Sequence, residues 1–564
     1  MSIKYEREFG KLIRTETASN IPIKEFYNPD DVAGFNYKEM LGDPGCHPYT
    51  RGIFPKMYRS HMWLKSQICC YAHPKETNEA FKKFIASGQT GLRILVDTTT
   101  AACVDPDHPL GLYTRTCNGT PTFAVTEYEE MLAGIPLENV DLESACAYPG
   151  GSYFTYVYLL ALMEKRGENI QNLRGTGIND PIHSAIVFDT KEFQENQWEL
   201  AKKTNLDLIE FSAKNTPKWH PCTPCGYDMR DAGINSIQEL AFCLGNAIQY
   251  YGDAVAERGV KIDDFRPMAF SQSIEMDFFE AIAKFRALRR MWSKIAKEYL
   301  GAKKERSMAC RIGARTAGNA MSIQEKAINH TTRLAIQSMA AIMGGAQSLD
   351  LAGIDEAFGL PSEEARIFGL DAGHIIAHEA NIPLTADPLG GSYYVEWLTN
   401  KIEEETWKLL NIILEKGGMW KCLKSGWLKK QFLDWNWVMN EEITNQKRII
   451  VGWNAFKGQD GPISAAIKDS AYKVPCAEER QVAARKLVKL RETRNQRELV
   501  EKLTNLWQEE KDGKNSVRAS VDAAKAYATI GEIIGTLRMA HGHNYDPYNA
   551  IPTPSYLSHL KIKN

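Results

Sequence analysis

Residues 267–299 read PMAFSQSIEMDFFEAIAKFRALRRMWSKIAKEY. The first five, Pro267 to Ser271, form a short apolar run, the pattern of a buried strand. From Asp277 the period changes. Phe278, Ile282, Phe285, Leu288, Trp292, Ile295 and Tyr299 recur at steps of three and four, which predicts an amphipathic helix over 277–299 with Lys284, Arg289 and Lys297 left for solvent or partners. A strand followed by such a helix is one βα unit. Similar units recur on both sides of it from about residue 78, the signature of a parallel sheet.

The other runs that read as strands are 91–97, 141–147, 184–189, 208–212, 308–313 and 345–350. Periodicity does not decide whether these units close into a barrel or stay open as a doubly wound sheet, although no GxGxxG follows a strand to favour a nucleotide fold. Residues 1–77, rich in Pro, Gly and Tyr towards Pro44-Gly45 and Pro48-Tyr49-Thr50-Arg51-Gly52, read as an extended arm. Residues 78–400 carry the βα units. After 401 the strand signals fade into helical stretches, 401–445 and 478–511, so 401–564 reads as a helical C-terminal region.

The chain has 564 residues, a formal net charge of −2 and 12 cysteines. Near-neutrality gives no long-range field to gather nucleic acid or an anionic membrane. Met1 to Gly10 lacks an apolar signal core and no apolar run of about 18 residues occurs, so a soluble, cytoplasmic protein is expected. The cysteines follow no framework spacing and read as reduced thiols, Cys69-Cys70 among them as core filling.

Several motifs invite chemistry. His220, Cys222 and Cys225 in HPCTPC offer three zinc-type ligands, but no second pair follows and two prolines stiffen the segment, so no metal is expected. His541-Gly542-His543 and Asp105-Pro106-Asp107-His108 read as loop residues. No GxSxG, HExxH or Walker-type loop is present, which leaves hydrolase and ATPase readings without an anchor.

A set of ordered segments resembles the large subunit of the methylmalonyl-CoA mutase family, which includes isobutyryl- and 2-hydroxyisobutyryl-CoA mutases. They include Tyr49-Thr50-Arg51-Gly52 with Met57-Tyr58-Arg59, Gly88-Gln89-Thr90-Gly91-Leu92, Gly175-Thr176 with Asn179-Asp180, Pro217-Lys218-Trp219, Gly226-Tyr227, Gly344-Gly345-Ala346-Gln347-Ser348-Leu349, and Asp387-Pro388-Leu389-Gly390-Gly391-Ser392. The resemblance implies a (β/α)8 TIM barrel with the acyl-CoA threaded along its axis. It also implies adenosylcobalamin, whose adenosyl radical permits a 1,2-rearrangement of the acyl group. The family's cobalamin loop, Asp-x-His-x-x-Gly, is not found in the sequence, so the resemblance implies a small cobalamin-binding subunit as partner and a hetero-oligomer.

The same resemblance assigns site residues. Ile68 occupies the position that distinguishes acyl groups, and Leu95 the position where the 2-hydroxyisobutyryl enzymes place an Asp, which suits an apolar or branched acyl group. Lys203 aligns with a carboxylate-binding Arg on the strand before Pro217-Lys218-Trp219, and Gln347 is counted with the substrate-binding positions. Tyr227-Asp228 stands where the family has Tyr-His, the His donating to the thioester carbonyl. An Asp228 in that role would have to be kept protonated by burial. Arg93 and Glu143 replace the small residues of the CoA channel and are expected to pair. His61 and Ser66 replace arginines, and Met268 and Phe270 replace an Arg and a Ser. The alternatives are a non-catalytic paralogue serving as scaffold, a mutase for a non-CoA substrate and, ranked far below, a zinc enzyme.

Overall fold

The computed structural model describes residues 14–68, 70–110, 119–144, 152–187, 198–321, 323, 325–471 and 477–560. Its strands are β1 (Leu64–Lys65), β2 (Gly91–Ile94), β3 (Asp141–Ser144), β4 (Arg174–Gly177), β5 (Trp219–His220), β6 (Met268–Ile274), β7 (Cys310–Thr316) and β8 (Ser348–Asp350). All pairings between them are parallel, in two four-stranded sheets of order β1-β8-β7-β6 and β2-β3-β4-β5. Single parallel bridges join the sheets at both edges, Ile68 to Arg93 and Cys225 to Ser271.

Alternation along the strands sorts side chains between helices and lumen. On β7, Cys310, Ile312 and Ala314 are buried, whereas Arg311, Gly313 and Arg315 are only partly covered. The first set packs on the surrounding helices and the second lines the interior of the sheets. β3 repeats the pattern, with Asp141 and Glu143 on the lumen side.

The 277–299 pattern forms a helix, Phe278–Glu298, capped by the Asp277 carboxylate, which accepts the Glu280 N–H. Two of the cations expected at its surface are buried instead. Lys284 donates to Glu239 and to the Ser273 carbonyl, each at 2.6 Å. Arg289 donates to the carbonyls of Tyr49, Thr50 and Gly344. Arg286 pairs with Asp387 and Glu396 on the segment around helix Tyr393–Glu415. The helix is thus covered on both sides, and its polar stripe holds the arm and the C-terminal region in place. Lys297 is exposed as expected.

Two of the expected strands are helical. Residues 184–187 belong to helix Pro181–Val187, with 188–189 outside the described residues, and 208–212 belong to helix Trp198–Asn215. Their apolar runs are buried helix faces, which a short window does not distinguish from strands. The strand expected over 141–147 is seen over 141–144, with 145–147 outside the described residues. β1 lies inside the segment read as the arm, and β4 and β5 were not anticipated. After residue 401 the described residues form helices and one isolated bridge, Val451 to Ala455. Among those helices, Gln496–Lys511, Val517–Lys525 and Ile530–Ala540 pack on one another, and Val517–Lys525 packs on the buried helix Tyr153–Arg166. No helix among the described residues is long and apolar enough to cross a membrane.

Candidate active site

The lumen between the two sheets holds a narrow cavity of about 70 Å³, lined mainly by small or apolar residues such as Ser66, Gly91, Thr176, Ala269, Gly313 and Ser348. At the N-terminal ends of β6 and β7 the guanidinium groups of Arg266 and Arg311 line it. Burial and the neighbouring Arg311 push Arg266 down to about 10. His220 lines the same space, and burial, with those two arginines, holds its imidazole neutral, well below its usual range. Ser66 Oγ and His220 Nε2 are buried polar atoms with no hydrogen-bond partner among the described residues.

Towards the C-terminal ends of the strands the lumen is crossed by ion pairs. Arg93 donates to Glu143 at 2.5 Å and to Asp350 at 2.6 Å. Asp350 also forms an ion pair with Arg315 at 3.2 Å, and Arg315 reaches Glu356 at 3.2 Å. The pairing of Arg93 with Glu143 follows the expectation, while Asp350 and Arg315 were not foreseen. Their signal was weak because each is a single charge near the end of an apolar strand.

Beyond this layer, the Arg315 guanidinium lies 4.5 Å from the Tyr227 ring centroid, a cation–π contact over a buried ring. Asp228, next in the chain, meets His183 Nε2 from another segment at 3.1 Å and Cys225 Sγ, three residues earlier, at 3.4 Å. Burial pushes the Asp228 carboxyl up, but the hydrogen bond and charge of His183, with Arg315, outweigh it and hold the group below the ordinary carboxylate range. Burial would depress His183, yet Cys225 and Asp228 raise it well above the usual imidazole range. Burial and the Asp228 charge push the Cys225 thiol up to about 11. The condition under which Asp228 could donate to a carbonyl, a carboxyl pushed up by burial, is opposed here by His183 and Arg315, which favour its ionised form.

His183 was missed. It sits two residues into helix Pro181–Val187, directly after Asn179-Asp180, in a stretch read as the approach to a strand. The Asp180 carboxylate accepts the N–H of His183 at 3.1 Å and the N–H of Cys225 at 3.0 Å, which brings the two segments together.

The remaining expected positions divide. Ile68 is buried and bridges to Arg93, and Leu95 is partly buried against the core with its N–H on Cys70 Sγ. Gln347 lines the cavity, but its amide bonds the Ile312 N–H and the Gly345 carbonyl, so it closes the β7–β8 seam. Lys203 is not on a strand. It lies on helix Trp198–Asn215, where its ammonium is taken by Asp207, Glu510 and the Lys514 carbonyl. His220, Cys222 and Cys225 do not converge: His220 faces the cavity, Cys222 Sγ donates to the Asn179 carbonyl, and Cys225 meets Asp228. His108 and His541 pair with Asp546 and Glu510, tying loops to the C-terminal region.

The family model described as Methylmalonyl-CoA mutase matches residues 16–543. The 2-hydroxyisobutanoyl-CoA mutase large subunit of Aquincola tertiaricarbonis is 33% identical over 525 residues, covering 93% of this chain and 91% of that protein. The methylmalonyl-CoA mutase of Cereibacter sphaeroides is 31% identical over 531 residues, 94% of this chain and 72% of that protein. The mitochondrial methylmalonyl-CoA mutase of Homo sapiens is 31% identical over 533 residues, 94% and 68% of the respective chains.

Proposed function

This chain belongs to the methylmalonyl-CoA mutase family, a family of isomerases, and we propose that it is the barrel subunit of an adenosylcobalamin-dependent mutase acting on an acyl-CoA. In this reading the two sheets, bridged at Ile68–Arg93 and Cys225–Ser271, are one closed (β/α)8 barrel. The barrel takes in β1 from the arm 1–77 and the units of 78–400, with 401–564 as helical buttress. The free cysteines among the described residues suit a reducing, cytoplasmic setting.

One observation carries the reading. Ser66 Oγ and His220 Nε2 are buried polar atoms left unsatisfied among the described residues, in a cavity otherwise lined mainly by small or apolar residues. A narrow polar chain such as a pantetheine arm would satisfy both, which burial otherwise penalises by about 1–3 kcal/mol each. Arg266 and Arg311, crowded at the N-terminal mouth without an ion pair of their own among those seen, suit the phosphates of such a tail. The acyl end would then lie near Ile68 and Leu95, where an apolar or branched group fits, with Tyr227 and the Arg315 guanidinium above it. The ion pairs of Arg93, Glu143, Asp350 and Arg315 hold the strand ends rigid around that end and exclude water from it.

The cofactor supplies an adenosyl radical when bound. The residues present fit part of its site: Tyr227, Asp231, Arg315 and Glu356 gather beyond the C-terminal ends of the strands, and burial with repulsion from Glu275 pushes Asp231 up to about 7, a group able to donate as well as accept. A cobalt-binding histidine loop is not in this sequence. A small cobalamin-binding subunit completes the site in this reading, consistent with a relative named a large subunit.

The test mixes the purified chain with a small protein bearing Asp-x-His-x-x-Gly, adenosylcobalamin and a panel of acyl-CoA thioesters. Cob(II)alamin formation and a rearranged product with one of them are expected. Neither signal and no CoA binding across the panel would sink the proposal in favour of a non-catalytic scaffold.

A further inference from the structure

We propose that His183, Cys225 and Asp228 form a three-ligand site for a divalent ion of the zinc class, with its fourth position open. The three side chains come from different places: His183 from the helix after β4, Cys225 from the bridge residue after β5, and Asp228 from the short helix Tyr227–Asp231. One ligand atom from each lies within 4.8 Å of the others, and among the described residues no other group of histidine, cysteine and carboxylate converges in this way.

The spacing matches what a tetrahedral ion requires. With bonds of about 2.0–2.3 Å, ligand atoms of a zinc site stand roughly 3.3–3.6 Å apart. Here His183 Nε2 and Asp228 Oδ2 are 3.1 Å apart, and Cys225 Sγ and Asp228 Oδ2 are 3.4 Å apart. These two separations need no more than a few tenths of an ångström of side-chain movement, and all three ligand atoms lie within 4.8 Å of one another. The mixture of nitrogen, thiolate sulfur and carboxylate oxygen selects a borderline metal over magnesium or calcium.

The ligands are also held by an outer shell. Asp180, fully buried, accepts the backbone N–H groups of both His183 and Cys225, and is itself fixed by Asn246 and by the Tyr250 hydroxyl at 2.6 Å. The Gly226 N–H donates to the Ser271 carbonyl at 2.7 Å, so the residue after Cys225 is locked to β6. This is the rigid support that metal ligands need. His183 and Cys225 are closed from solvent, whereas the Asp228 side chain is 32% exposed, so the open position lies on its side.

A site with three protein ligands and an open fourth position binds a water or a ligand oxygen. In the mutase reading, on which this role alone rests, the ion would polarise the substrate carbonyl in place of the histidine that the family has at position 228. The site replaces the one that the HPCTPC stretch suggested, keeping only Cys225 from it.

The experiment titrates Co2+ into the chelator-treated full chain, without substrate or cofactor, under reducing conditions. One Co2+ per chain is expected, with a thiolate-to-cobalt charge-transfer band that Zn2+ abolishes by displacement. Cys225→Ser should lose the band, and His183→Gln, which keeps the thiol, should bind at least ~10-fold more weakly, the size of loss seen even for outer-shell changes. Circular dichroism checks that each variant is folded. A wild-type chain with no band, a band surviving Cys225→Ser, or unchanged affinity in His183→Gln overturns the site. Binding is read on the chain alone, so its failure and failure of the turnover assay are separate results.

Discussion

Arg93 on β2 donates to Asp350 on β8 at 2.6 Å, joining the two sheets through a side-chain bond although their strands share no ladder. Both residues are buried, and Asp350 also serves Arg315. Removing one member of a buried pair leaves an uncompensated charge, at a cost of about 3–5 kcal/mol. Asp350→Ala should therefore lower the urea midpoint by an amount equivalent to that loss. A midpoint within error of wild type would mean that Glu143 and Glu356 alone neutralise the two arginines.

Lys203 tests the distinction between a ligand-binding and a structural cation. Its ammonium contacts Asp207 and Glu510, both fully covered side chains, and ties helix Trp198–Asn215 to helix Gln496–Lys511. Lys203→Met should cost ~1.5–3 kcal/mol of stability, the size of a lost bond to a charged group. In the assay with acyl-CoA its KM should be unchanged. A raised KM without a stability loss would return Lys203 to the pocket.

The alternation of strand and helix was legible because β6, β7 and the helix Phe278–Glu298 are long enough for their periods to register. β1 and β5 have two residues each and offer no period at all. β4 is hidden for a different reason. Gly175 has φ +139°, and a Cβ there would stand 1.7 Å from the Leu142 carbonyl oxygen, so the strand requires a residue that strand propensity disfavours. The candidate site was legible at Tyr227-Asp228 and Arg93–Glu143, where family positions carry unusual residues. His183 was not, because what brings it to Asp228 and Cys225 is a contact between helix and loop that no local spacing encodes.

Ile68 governs the acyl end in the mutase reading. It is buried and bridges to Arg93, so a larger side chain has to be accommodated among buried neighbours and not in solvent. Ile68→Phe should shift preference towards smaller acyl groups by ~10-fold or more in kcat/KM, since a methylene in such a pocket is worth about 1–3 kcal/mol. Overpacking should also destabilise the fold by ~1–3 kcal/mol. Loss of stability with an unchanged substrate ranking would detach this position from specificity.

Glu127, in helix Val125–Met131, is a buried carboxyl that burial pushes up to about 7, only partly offset by the hydroxyl of Thr126 at 2.7 Å. Its folded value lies above the unfolded one, so the folded state holds the proton more tightly. Stability is then greatest below the unfolded value and falls as pH rises through about 7. The accumulated loss at pH 8 is roughly 3 kcal/mol. Glu127→Gln should flatten that part of the stability–pH curve and raise the melting temperature at pH 8 more than at pH 5. A parallel curve for the variant would show that another group is responsible.

His220 should show stability and binding moving in opposite directions. Its Nε2 is buried in the lumen without a partner among the described residues, and its ring is held neutral by burial beside Arg266 and Arg311. His220→Phe keeps a ring of similar size and removes the orphaned atom, so the free chain should gain about 1 kcal/mol. The same change deletes a hydrogen bond to any polar chain threaded through the cavity, and the affinity for acyl-CoA should fall ~2–10-fold. Calorimetric unfolding and equilibrium binding of a non-reacting CoA thioester read the two effects separately. If the variant is stabilised but binds CoA as tightly as before, the ligand does not pass His220, and the route along the lumen is wrong.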